Sequence, residues 1–332
     1  MKICVFGAGA VGGFIAAHLA RAGHHEVSLV VRGAHLEAIR ARGLTLRTAQ
    51  EEFTVRPHAA SAVPRELPPQ DLVIVTLKAQ SQPAAADDIA ALLAPGASAV
   101  FAANGLPWWW TYRGAAAPGG PLRLLDPDAR LWERVSPERT IGCVIFSANE
   151  VVEPGVVQHS TNNRFLLGEP DGRLSARVQA IAQMLRDAGV GGEATPDIRR
   201  WVWTKLLRNA PVNPLCALTR LPTNRLAEDP QLLALYDAVV DELAEVAAAQ
   251  GTDLSAELPA AREVARKGPS IDGKRREIRP SMLQDAIAGR SLETEAILGQ
   301  LQEFGRESGV ATPAIDMLLP LLRGLDRSLR PH

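Results

Sequence analysis

Cysteine is scarce: Cys4, Cys143 and Cys216 are the only three in 332 residues, far apart and each inside an apolar run. That excludes a disulfide framework and the ligand spacing of a zinc site, so we expect no metal and a reducing, cytoplasmic setting. Neither sign of charge is in excess, with 36 Lys and Arg against 37 Asp and Glu. The balance leaves no electrostatic footprint for nucleic acid or an anionic membrane. No apolar run reaches the length that spans a bilayer. The start, "MKICVFGAGAVGGF", imitates a signal peptide, but its glycines have a better explanation below. Repeats and low-complexity tracts are also lacking. What is left is a chain long enough for two domains with sizeable cores.

The first half alternates strands and helices. Lys2 to Phe6 is a short β-branched and aromatic run; "FIAAHLARAG" follows as a helix stopped by Gly23. Further strands read at "EVSLVVR", "DLVIVTLK" (71–78), "SAVFAANG" (98–105) and "TIGCVIFSA" (140–148), with a helix at "AAADDIAALLAPG". "GLTLRT" and "EFTVRP" alternate at period two around a polar turn, a hairpin pattern, and "VVEPGVVQH" predicts another turning at Pro154-Gly155. Continuous apolar strands separated by helices predict a mostly parallel sheet covered on both faces.

In this context "GAGAVGG" becomes specific. Gly7, Gly9 and Gly12 form G-x-G-x-x-G after a strand and before a helix. Gly7 permits the tight turn, Gly9 lets a pyrophosphate approach the backbone, and Gly12 lets the helix pack closely. The helix N-terminus attracts the anion. An acidic residue at the end of the second strand would bind ribose hydroxyls; here Arg32 stands there, which favours the 2′-phosphate of NADPH. Arg32 is alternatively a stacking partner for adenine. Lys78 and Asn104 fall where two further strands end, which is where open α/β sheets bind ligands, although either residue can also simply cap an element.

From Pro196 the pattern is helical, with no convincing strand. "QLLALYDAVVDELAEVAAAQG", "LETEAILGQLQEFGRESG" and "TPAIDMLLPLLRGL" are amphipathic. These helices also offer faces on which two copies pair as a homodimer. We therefore read residues 1–195 as an NADP-binding Rossmann-type domain with an insertion at about 107–139, and 196–332 as an all-α substrate domain. The helical part opens with "WTKLLRNAPVNPL", where Lys205, Asn209 and Asn213 recur every fourth residue. Steps of about 100° per residue keep all three within roughly 80° of arc. A lysine can donate a proton and two carboxamides can hold oxygens; the alternative is a solvent-exposed helix edge. Pro211 removes a helix hydrogen bond and tends to kink the stripe, which would displace Asn213.

With these residues in view the chain resembles the ketopantoate reductase family over nearly its whole length. The carriers are "GAGAVGG", Arg32, "TLKAQ" at 76–80, "NG" at 104–105, "WTKLLRNAPVNPL" and "PSMLQDAIAGRSLETEAILG" at 280–299. The resemblance implies NADPH-dependent reduction of 2-dehydropantoate to pantoate, in pantothenate and coenzyme A synthesis. It implies that Lys205 is the general acid and that Glu293 anchors the substrate hydroxyl. Asn209, Asn213 and Ser281 look like substrate-binding groups, and Lys78 and Asn104 like residues touching cofactor and substrate. The choice of Glu293 over Glu295 rests on the family register.

Three features depart from the family: Pro211 inside the stripe, Leu292 where a threonine is common, and the long segment 107–139 with Trp108-Trp109-Trp110. That segment is a lid or pocket wall, or the tryptophans are packing anchors. Two alternatives follow: reduction of a bulkier 2-keto acid, or a non-enzymatic NADPH-binding sensor.

Overall fold

The computed structural model describes residues 1–114, 119–267, 270–271, 274–275 and 277–329. Two compact units divide the chain within one helix, the first ending at Arg199 and the second running from Arg200. The first unit carries ten strands: β1 (Lys2–Phe6), β2 (Glu26–Val30), β3 (Leu44–Arg47), β4 (Glu52–Val55), β5 (Ala59–Ser61), β6 (Gln70–Val75), β7 (Leu93–Ala102), β8 (Thr140–Glu153), β9 (Val156–Gly168) and β10 (Gly192–Ala194). Its helices are α1 (Ala10–Ala22), α2 (Gly33–Arg42), α3 (Ala86–Leu92), α4 (Arg130–Arg134) and α5 (Ala176–Asp187).

The strands lie in the order β4-β3-β9-β8-β7-β6-β1-β2-β5, with β10 also on β9. From β5 through β2, β1, β6 and β7 to β8 every pairing is parallel. Counted among themselves these six run 3-2-1-4-5-6, so the order reverses between β1 and β6. A ligand crevice opens at the carboxyl ends of strands at such a reversal. The strand interiors are largely apolar because both faces are covered: Ile3, Val5, Val73 and Val75 are fully buried. Beyond β8 the sheet turns antiparallel. The β8–β9 hairpin reverses at Gly155 (φ 87°), and β3 adds to β9 in parallel, carrying β4.

Two boundaries differ from the sequence reading. The helix expected over 84–96 stops at Leu92, because Pro95 and Gly96 (φ 78°) cannot continue it; two 3-10 turns precede it and β7 already starts at Leu93. Strands β6 and β7 also end earlier, at Val75 and Ala102, so Lys78 and Asn104 sit in the turns just past them.

The second unit is helical: α6 (Ile198–Thr219, whose first two residues belong to the first unit), α7 (Thr223–Leu226), α8 (Pro230–Ala249), α9 (Leu258–Lys267), α10 (Ser281–Ile287), α11 (Gln300–Ser308) and α12 (Pro313–Ser328). A two-residue ribbon, Ser270–Ile271 against Lys274–Arg275, is a small exception to the expected all-α composition. The core is the apolar face of α8 (Val239, Val240, Leu243, Val246) with Leu301 and Phe304 of α11 and Ile315, Leu319 and Leu322 of α12, all buried. Gly305 lets the turn after α11 fold back on that helix, since a Cβ there would lie 2.9 Å from Thr312 Cγ2 and 3.0 Å from Val310 O. The expected single helix from 292 to 309 has a five-residue π-helical start at Glu295–Gly299, and α11 ends at Gly309 (φ 69°).

Candidate active site

In the first unit the site begins at the turn after β1. Gly7 takes φ 94°, a left-handed conformation that favours glycine, and its N–H donates to Val30 O at 2.9 Å. Thr76, at the end of β6, donates its hydroxyl to Gly7 O at 2.7 Å and so ties the loop across the strand reversal. Gly12 is closed in: a Cβ would fall 2.4 Å from Thr76 Oγ1, 2.8 Å from Gly7 O and 3.0 Å from Val5. Gly9 is different. A Cβ there would meet only Gly7 O, at 3.8 Å. The chain's own packing does not require glycine at that position, whereas a ligand lying on the backbone does. Gly9 is the N-cap of α1, a 13-residue helix, and no side-chain cap takes up the first-turn amides. Arg32 ends the second strand's turn, exposed, as the N-cap of α2. These features fit a phosphorylated dinucleotide.

Lys78 is half-buried and caps a 3-10 turn (Ala79–Ser81), with Ser81 N–H on its carbonyl at 2.9 Å. Asn104 is half-buried just before Gly105 (φ 83°). The three tryptophans that follow are buried. Trp108 meets Phe101 of β7 edge-on at 5.3 Å, and Trp109 lies over Gly142 of β8, where a Cβ would come within 2.4 Å of its ring. Arg199 spans the back of the cluster, donating to the carbonyls of Trp110 (2.9 Å) and Tyr112 (2.6 Å). The tryptophans are packing anchors; of the segment 107–139 read as a lid or wall, residues 115–118 lie outside the described residues.

In the second unit α6 runs unbroken through Pro211 and Pro214. The displacement expected from Pro211 does not occur. Asn213 Nδ2 donates to Asn209 O at 3.1 Å, so the four-residue spacing is kept. Nor is the stripe a solvent-exposed edge: Lys205 and Asn209 are half-buried and Asn213 is buried, beside fully buried Leu206, Leu207 and Ala210.

Asn213 is largely used by the fold. Its Oδ1 accepts the Met282 N–H at 3.2 Å and the Ser281 hydroxyl at 3.4 Å, capping α10, whose own N-cap Pro280 offers no side-chain bond. With Nδ2 on Asn209, one N–H is what this amide can still offer a ligand. The structure therefore brings the Asn213 and Ser281 side chains together, with Asn209 joined to them through its backbone carbonyl. Ser281 is exposed and keeps its acceptor lone pairs.

The two glutamates also separate. Glu295 is committed to Arg323 of α12 in a two-pronged ion pair, Nε–Oε1 2.8 Å and Nη2–Oε2 2.6 Å. Glu293 is buried, two residues earlier, and its carbonyl accepts Ile297 N–H at 3.1 Å. Leu292, at the position where threonine is common in the family, is buried at 2 % exposure.

The residues that sequence reasoning missed are Thr76, Gly299, Arg323 and Asp326. Thr76 lies in the quoted "TLKAQ" stretch, but only its contact with Gly7 O gives it a role. The three cysteines are buried and form no disulfide, and burial pushes the Cys4 and Cys216 thiols up to about 12, which removes those two as nucleophiles. Among the described residues no group of three His, Cys, Asp or Glu side chains could hold a metal, and no helix is long and apolar enough to cross a membrane.

A strand-order reversal with a glycine loop, an exposed arginine after the second strand and a helical unit bearing a half-buried lysine define a dinucleotide-dependent oxidoreductase architecture. Comparison with known proteins narrows the class. The family model "Ketopantoate reductase PanE/ApbA" matches residues 3–172, and its C-terminal counterpart matches 197–326. A 2-dehydropantoate 2-reductase from Mesorhizobium japonicum is 41% identical over 98% of both chains, and one from Archaeoglobus fulgidus is 30% identical over 99% of both. A crystal structure from Ralstonia solanacearum MolK2, named for the ketopantoate reductases, superposes with TM-score 0.90 at 35% identity over 98% of both chains. The chain belongs to the ketopantoate reductase family, a family of oxidoreductases.

Proposed function

We propose that the protein reduces 2-dehydropantoate to pantoate with NADPH, in the cytoplasm, the first unit holding the cofactor and the helical unit supplying the acid. The observation that carries this reading is the stripe of Lys205, Asn209 and Asn213 on α6, half-buried to buried and beside Ser281, in a chain whose Gly9 leaves room that its own packing does not use. Gly7, Gly9, Gly12 and the α1 N-terminus would hold the pyrophosphate, Arg32 the 2′-phosphate, and Lys78 and Asn104 the cofactor's reacting end. NADPH supplies a hydride to the keto carbon when bound. The carbonyl oxygen then gains negative charge, which the Lys205 ammonium stabilises and finally protonates, giving the hydroxyl. Glu293 anchors the substrate's own hydroxyl, and Asn209, Asn213 and Ser281 fix its oxygens.

Burial of the three tryptophans weakens the case for a bulkier 2-keto acid, because they are spent on the sheet. A sensor that binds NADPH without turnover would need the glycine loop and Arg32 but not Lys205. Pairing of two copies through the helical unit belongs to the reading, and sedimentation velocity reads it.

The test is NADPH oxidation with 2-dehydropantoate beside a panel of other 2-keto acids. We expect Lys205→Ala to lower kcat by about 10²–10⁴-fold with normal folding and normal NADPH binding. Wild-type turnover retained in that variant would remove Lys205 from the chemistry. Tight NADPH binding without turnover on any keto acid would favour the sensor.

A further inference from the structure

The turn that carries Glu293 is gripped from both sides by α12. On one side the Asp326 carboxylate, buried, accepts the Leu292 N–H at 2.7 Å and the Ser291 hydroxyl at 3.1 Å through the same Oδ1. On the other, Arg323 holds Glu295 with two parallel hydrogen bonds. Arg323 and Asp326 are three residues apart on one helix, so they project from one face. Glu293 lies between their two attachment points in the chain. The start of the turn is fixed separately, by Arg290 N–H on Asp285 O at 2.8 Å.

The π-helical start completes the grip. Glu295 folds back over Gly299, where a Cβ would stand 2.0 Å from Oε2 and 3.0 Å from Cδ. An ordinary residue at 299 would push that carboxylate off Arg323. Single π-turns of this kind inside α-helices recur at functional sites. The ion pair itself is not a strong source of stability: both side chains are about a third exposed, at 37% and 33%, and pairs with that much solvent contribute little. A two-pronged contact of small energetic weight but fixed geometry suits orientation better than stabilisation.

We propose that Arg323 and Asp326 are positioning residues for Glu293, with α12 acting as a splint and Gly299 as the relief that lets Glu295 reach it. This rests on the role given to Glu293 above. A carboxylate that anchors a substrate hydroxyl must be held within about half an ångström of its productive place, and a displacement of about 1 Å costs on the order of 10²-fold.

The test compares Arg323→Gln, Gly299→Ala, Asp326→Ala and Asp326→Asn with wild type, with Glu293→Gln, and with Arg327→Gln as an exposed control on the same helix. Steady-state constants are measured with 2-dehydropantoate and NADPH, together with melting temperature and amide hydrogen exchange over 291–295. We expect kcat/KM for the keto acid to fall about 10–100-fold in Arg323→Gln, Gly299→Ala and Asp326→Ala, with KM for NADPH unchanged. Asp326→Asn keeps an acceptor for Leu292 N–H and should recover most of the loss, which a merely structural role would not predict. Variants no slower than Arg327→Gln, or Asp326→Asn as impaired as Asp326→Ala, would overturn the splint. If wild type turns over no keto acid, the reading of function fails and exchange decides alone. Faster exchange at Leu292 in Asp326→Ala then keeps the splint, and unchanged protection overturns it.

Discussion

Two glycines of one motif should fail in opposite ways. At Gly12 an added methyl would lie 2.4 Å from Thr76 Oγ1, 2.8 Å from Gly7 O and 3.0 Å from Val5 Cγ1. The Thr76 hydroxyl is held on Gly7 O and the Gly7 carbonyl is backbone, so neither retreats cheaply. Overpacking of this kind costs about 1–3 kcal/mol. Taking about 2 kcal/mol, and about 2–4 °C per kcal/mol for a unit of this size, Gly12→Ala should lower the melting temperature by about 4–8 °C. At Gly9 the same methyl meets nothing closer than 3.8 Å, so Gly9→Ala should fold with a loss below about 1 kcal/mol, chiefly from the poorer N-cap. Its cost should appear with the ligand. A methyl placed against a pyrophosphate imposes a clash of about 2 kcal/mol, which weakens NADPH binding by about 30-fold. Thermal melts and NADPH titration by fluorescence, with and without cofactor, read both effects. Gly9→Ala binding NADPH as wild type does would refute the argument that its open space belongs to a ligand. Gly12→Ala melting with wild type would refute the packing argument.

Arg32→Ala should raise KM for NADPH about 10–100-fold and leave KM for NADH nearly unchanged, since one charge-assisted contact is worth about 1.5–3 kcal/mol; equal effects on both cofactors would assign Arg32 to adenine stacking. Trp109→Ala empties the space over Gly142 and should cost about 3–5 kcal/mol in urea unfolding, and a loss below about 1 kcal/mol would mean the segment is not an anchor. Burial holds the His18, His35 and His159 rings below the ordinary histidine range, so the unfolded chain takes up their protons first as pH falls. Stability from these residues is therefore present above about pH 6.5 and lost as pH drops below it. Glu242, pushed up by burial, works in the opposite sense, so the decisive reading is the change in slope. His159→Gln should flatten melting temperature against pH between about 7.5 and 5.5, and an unchanged slope would refute the assignment.

How far the sequence carries depends on whether a feature is local. The glycine loop was legible because strand, turn and helix are consecutive, and the hairpin at Gly155 because its turn residues announce it. The four-residue stripe was legible too, yet the effect assigned to Pro211 was wrong. A proline perturbs a helix only as far as the surroundings allow, and here the Asn213 amide closes on Asn209 O while its other end is fastened to α10. Asn213 thus has partners at residues 281 and 282, and spacing within α6 holds no record of them.

The same reason hid α12. Nothing near "LETE" distinguishes Glu293 from Glu295; what separates them is Arg323, 28 residues beyond Glu295, and the missing side chain at Gly299. A glycine in a helix interior reads in sequence as a defect costing about 1 kcal/mol against alanine. In three dimensions the position is filled by the Glu295 carboxylate, so Gly299→Ala, a substitution favourable by propensity, is expected to be harmful. Propensity weighs a residue against its own backbone. At Gly299 the deciding contact is an ion pair made elsewhere, and one kinetic comparison of Gly299→Ala with wild type separates the two accounts.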